Sequence, residues 1–170
     1  MTNRRRVLAF GIFGGTALLA LRGAAAAAEA DGCATAGAGE ALASVLLERY
    51  VAAVNAHDTT SFPELFTETY FQRSGRSPSG LAAQTDNFNR IFASMPDIRL
   101  RVDDRIIAGD KVVARNTYSA THTQTIRGIA PTGKPFTFRT IDIWRIENGK
   151  FAEHWDLTDV AEVLSQLRNG

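Results

Sequence analysis

Cysteine is almost missing. Cys33 is the only one among 170 residues, so no intramolecular disulfide can form and the fold must rest on its core. Metal ligands are equally sparse: the three histidines never fall at His-x-x-x-His spacing, and His154-Trp155-Asp156 could supply two ligands but not a third. Gly-rich phosphate cradles and nucleophile elbows are absent as well, so no metal or organic cofactor is expected. Apolar runs stay short. The longest, Val7 to Leu21, is broken by glycines and a threonine and falls below the roughly 20 residues that span a bilayer, which argues against a permanent membrane anchor.

That apolar run sits in a layout with a different meaning. Arg4-Arg5-Arg6 precedes it, and a poly-alanine tract with Ala28-Glu29-Ala30 follows it, the three-part pattern of an export signal over residues 1–30. Arg4-Arg5-Arg6-Val7-Leu8 is similar to the twin-arginine motif, and the expected destination is the periplasm or beyond. Removing residues 1–30 takes four arginines and one glutamate from 19 basic and 18 acidic side chains, leaving 15 and 17 and a net charge of −2. No basic stripe remains, which excludes a nucleic-acid partner on electrostatic grounds. Cys33 follows Ala30-Asp31-Gly32, a poor lipidation context, and reads as a solvated thiol in a flexible linker over 31–39, a stretch too poor in large apolar groups to repay ordering. Residues 40–170 then form one domain, long enough to bury about two-thirds of its unfolded surface.

Within that domain the periodicity changes once. Leu42, Val45, Leu46, Tyr50, Ala53 and Val54 recur at helical spacing from about 41 to 56. Asp58 to Ser61 can cap a second, short helix with Pro63 in its first turn, running through Leu65 and Phe66. After a Ser, Arg, Gly and Pro-rich loop at 72–80, a third helix from about 79 to 95 aligns Leu81, Phe88, Ile91 and Phe92, and Pro96 stops it. From Ile98 the period becomes two. Ile98, Leu100 and Val102 mark a first strand that turns at Gly109-Asp110. A long strand is expected from Lys111 to about Ile126, then strands at 136–146 and 150 to about 157 joined by Asn148-Gly149, with a final helix bearing Val160, Val163, Leu164 and Leu167. Helices first and a strand meander after indicate an α+β fold.

The informative residues are polar ones on the apolar strand faces. Asn116, Tyr118 and His122 share a face with Val112, Ala114 and Ala120; Thr140 and Asp142 lie between Phe138 and Trp144; His154 and Asp156 stand two residues apart. A buried carboxylate is costly unless paired, hydrogen-bonded or protonated, so carboxylates and imidazoles converging in an apolar cavity suit general acid–base chemistry. The plainer alternatives are a surface pairing of Asp142 with Arg145 or Arg139, and a structural His122.

The C-terminal block resembles a known family. Gly128-Ile129-Ala130-Pro131-Thr132-Gly133-Lys134, Asp142-Ile143-Trp144-Arg145-Ile146, Asn148-Gly149-Lys150 and Glu153-His154-Trp155-Asp156 look like the SnoaL-like polyketide cyclase (predicted ester cyclase) family, within the nuclear transport factor 2-like superfamily. Tyr50 to Asp58 is similar to that superfamily's first helix, so the likeness spans roughly residues 41–168. It implies a cone-shaped, curved antiparallel sheet wrapped by three N-terminal helices around a deep apolar pocket, and commonly a homodimer. It implies Asp156 as the general acid–base of an intramolecular aldol ring closure and puts the family's long-strand histidine at His122, the second candidate catalytic residue and, with Tyr118, a candidate donor. Thr140 and Asp142 fall at pocket positions where the family usually has an amide and an imidazole, a departure that bears on the substrate more than on the pocket. Substrate contacts are then expected from Asp142, Thr140, Tyr118, Asn116, His154 and Trp144. Three functions follow: a cofactor-independent acid–base enzyme acting on a small apolar carbonyl compound, a periplasmic binding module with the same pocket, or a dimeric interaction domain.

Overall fold

The alternation read from the strands is realised in a computed structural model, which describes residues 39–169. The export segment 1–30, Cys33 and all of the expected linker but Gly39 lie outside the described residues. Helix α1 covers 39–56 and ends in a Schellman motif: His57 takes a left-handed φ of 55°, its N–H donates to Val54, and that of Asp58 donates to Ala53. Asp58 then accepts from the Thr60 N–H and hydroxyl, turning the chain into α2 (Phe62–Leu65), with Pro63 in its first turn.

A strand follows where the sequence suggested the tail of a helix. β1 (Phe66–Gln72) lies parallel to β5 (Lys150–Thr158), with a register break between Phe66 and Phe71. That bulge disrupts the two-residue period, so the segment carried no strand signature despite its aromatic and β-branched content. The sheet is therefore five-stranded and mixed, not four-stranded and wholly antiparallel. Helix α3 (Leu81–Ser94) precedes the meander β2 (Arg99–Ala108), β3 (Lys111–Thr121) and β4 (Pro135–Glu147), which continues into β5 and then α4 (Val160–Asn169). Strand order is β1-β5-β4-β3-β2 in a curled, unclosed sheet. β3 is shorter than expected, ending at Thr121; the His122 backbone still pairs with Gly133 and Lys134, closing a loop over 123–132. Asn148 and Gly149 both take positive φ, the two-residue turn that right-twisted strands prefer.

α1 and α3 cover the inner face of the sheet, and Tyr50 is their hub, meeting Phe66, Phe88, Trp144 and Phe151 edge-on with ring centroids 5.5–6.1 Å apart. The buried stripe of α1 is Ala43, Leu46, Leu47, Tyr50, Ala53 and Val54, whereas Leu42 and Val45, expected inside, are 68% and 51% exposed. Asn55 secures the helix to the sheet edge, exchanging two hydrogen bonds with the Leu100 backbone at 3.0 and 2.7 Å. Asp159 caps α4 by accepting from the Glu162 N–H.

Candidate active site

Strand register assembles the site. Across β3, β4 and β5, Asn116 faces Thr140 and Thr140 faces Thr158, while one step along Ala114 faces Asp142 and Asp142 faces Asp156. The next pair is Trp144 and His154. Opposed residues on one sheet face have Cβ atoms roughly 5 Å apart, so two carboxylates are forced together on the inner face.

Their surroundings differ. Asp142 is 4% exposed and both its oxygens are occupied: Oδ2 accepts from Asn116 Nδ2 at 2.7 Å and from the Thr140 hydroxyl, and Oδ1 lies 2.8 Å from His154 Nε2. Gln72 Nε2 donates to His154 Nδ1 at 3.0 Å, which leaves the imidazole proton on Nε2, directed at Asp142. Trp144 stacks on that ring at 5.0 Å and 6°. Every polar atom of His154 is committed, and so is its plane. The surface pairing of Asp142 does not occur: Arg145 binds Glu147 and Glu153 instead.

Asp156 keeps an oxygen in reserve. Oδ2 pairs with the Arg76 guanidinium, which also donates to the Asp156 carbonyl at 3.1 Å, whereas Oδ1 is buried without a partner. Both aspartates face a cavity of about 160 Å³. β1 and the loop after it contribute Gln72, Ser74 and Arg76; α1 contributes Tyr50; α3 contributes Gln84, Phe88 and Ile91; the sheet adds Tyr118, Phe138, Thr140, His154 and Thr158.

Of the expected residues, then, Asp156, Asp142, Thr140, Tyr118 and His154 line one cavity. Asn116 and Trp144 stand behind it, supporting Asp142 and His154. His122 is placed elsewhere: fully buried, it lies 3.2 Å from the Thr132 hydroxyl and edge-on to Phe136, beneath the loop that begins where β3 ends. It does not line the cavity. Tyr50, Arg76 and Gln84 were not anticipated, because a helix-face tyrosine and glutamine read as core or solvent and Arg76 reads as loop.

Burial pushes the Tyr50 and Tyr118 phenols up from their ordinary range, and the nearby Asp142 charge adds to this, so both stay protonated at neutral pH. The cavity thus offers an acceptor on Asp156 and neutral donors from two phenols. Among the described residues no group of three His, Cys, Asp or Glu side chains is arranged to hold a metal ion.

The profile of the family described as SnoaL-like polyketide cyclase matches residues 44–167. The chain belongs to that family. Among solved structures, TsrD from Streptomyces laurentii is 32% identical, with a TM-score of 0.70 over 75% of this chain and 95% of its own. IdmH from Streptomyces antibioticus is 26% identical, with a TM-score of 0.65 over 74% and 97%. A SnoaL-like polyketide cyclase from Agrobacterium tumefaciens shares the fold at 20% identity, with a TM-score of 0.65 over 72% and 94%. No curated protein sequence matches the chain. SnoaL-like membership accounts for the nuclear transport factor 2-like architecture and for a small-molecule pocket between α1, α3 and the sheet.

Proposed function

We propose that this SnoaL-like protein is a cofactor-independent acid–base enzyme of the polyketide cyclase type, with Asp156 as its proton carrier and a small, enolisable carbonyl compound as its substrate. The observation that carries the reading is the contrast between the carboxylates: Asp142 has no free oxygen, while Asp156, which also lines the cavity, keeps Oδ1 buried and unpartnered. In the reaction Asp156 Oδ1 takes a proton from the carbon beside the carbonyl, and the bonding pair moves to the carbonyl oxygen as an enolate. The Tyr50 and Tyr118 phenols are the available donors for that oxygen. In ring closure the enolate carbon attacks a second carbonyl of the same molecule, and Asp156 returns its proton to the new alkoxide. Arg76 holds the other carboxylate oxygen, Phe88, Ile91 and Phe138 keep the site apolar, and the Asp142–His154–Gln72 chain fixes the wall beside it.

Export through residues 1–30 belongs to the proposal and places the substrate outside the cytoplasm. So does homodimerisation through the outer sheet face, where Arg99, Arg115, Thr117 and Arg139 border a broad groove; sedimentation tests it. The functional reading is tested with monocyclic enolisable ketones, by thermal shift and turnover in wild type and Asp156→Asn. Binding to both with turnover only in wild type supports the enzyme. Equal stabilisation of both, without turnover in either, identifies a binding module instead.

A further inference from the structure

A second cavity adjoins the first. Met95, Phe138 and Thr158 line both, so the two spaces share part of their walls. The second, about 200 Å³, is the larger, and its remaining wall is apolar but for Arg127 at the rim: Ile126, Phe136, Val160 and Val163. No carboxylate or imidazole reaches it. It has room and surface for hydrocarbon, and nothing in it that could do chemistry.

We infer that the two cavities form one bipartite site, in which the carbonyl head of the ligand lies against Asp156 and an apolar tail passes Met95 into the space between β4, α4 and the 123–132 loop. The inference rests on the proposed function only for the head. Three observations carry the tail. The first is continuity, since the dividing residues belong to both walls. The second is the divider itself: Met95, at the end of α3, is only partly buried, and an unbranched thioether can swing aside at small cost. The third is size. A cavity of about 160 Å³ is comparable to those that hold one small ring, so any longer substrate must extend beyond it, and this is the adjoining apolar space. The substrate class narrows accordingly, from a small apolar carbonyl compound to an enolisable ring or β-dicarbonyl head bearing an alkyl or aryl tail.

A series of 2-alkylcyclohexanones, from methyl to octyl, tests this by calorimetry and by methyl NMR of Ile126, Val160 and Val163. Affinity is expected to rise about fourfold for each added methylene until the second cavity fills, with shifts at those methyl groups only for the longer tails. Val163→Trp, which fills the cavity, is expected to bind the methyl compound as wild type does and to lose the gain from longer tails. A flat series, or a rising one that leaves the three methyl groups unmoved, overturns the inference even if Val163→Trp fails to fold. Asp156→Asn separates this claim from the catalytic one: it is expected to keep the full dependence on tail length while losing turnover. A flat series with turnover intact would sink the tail and leave the enzyme standing.

Discussion

Replacing Asp142 with alanine would strip three buried donors of their acceptor at once: Asn116 Nδ2, the Thr140 hydroxyl and His154 Nε2. An orphaned buried donor costs about 1–3 kcal/mol. The threonine hydroxyl can turn to another acceptor, which leaves two donors orphaned, so we expect Asp142→Ala to lose about 2–6 kcal/mol, a large share of the stability of an ordinary domain. Asp156→Ala removes one ion pair to an arginine that is 37% exposed, worth at most about 1 kcal/mol after solvent screening. Urea denaturation followed by tryptophan fluorescence measures both. Midpoints that shift equally, or a larger loss for Asp156, would refute the division of these carboxylates into a structural and a chemical one.

Alkali should unfold the protein through its tyrosines. Burial holds the Tyr50, Tyr70 and Tyr118 phenols above the ordinary value of 10.0, so the unfolded chain releases protons that the folded one keeps, and stability present below pH 10 falls as pH rises past it. Tyr118→Phe should flatten that limb in a pH-dependent melt; an unchanged slope would contradict it. At the acid end, Arg73 and Arg145 hold the Glu153 carboxyl below its ordinary 4.5, a contribution present above that value and lost as pH falls below it. Glu153→Gln should therefore flatten the acid limb. Asn148→Ala places a Cβ-bearing residue less tolerant of φ 51° in the β4–β5 turn and should cost about 1 kcal/mol in denaturation midpoint; no loss would mean the turn is not under this constraint.

Much of the site was legible because β3 and β4 alternate strictly. Val112, Ala114, Asn116, Tyr118 and Ala120 could be placed on one face by counting, and the polar members of that face turned out to line the cavity or support it. Counting also put His122 on the buried face, where it lies, but it falls past the end of β3 and outside the cavity. β1 escaped notice because its bulge breaks the period and its partner, β5, lies some eighty residues away in sequence. Leu42 and Val45 fit the helical spacing of α1 yet lie outside the core, since periodicity identifies a stripe without showing how far along the helix its covering sheet reaches. Arg76 and Gln84 carried no local signal: their role comes from the return of the 73–80 loop and α3 over the sheet, a long-range placement.

Proton–deuterium exchange at the α-carbon of an enolisable ketone, followed by NMR in wild type and Asp156→Asn, bears most directly on the reading of Asp156 as the proton carrier. The account predicts enzyme-dependent exchange that drops by about 10²–10⁴-fold in the variant while its melting temperature barely moves. Exchange that persists undiminished in Asp156→Asn would show that the proton travels by another group.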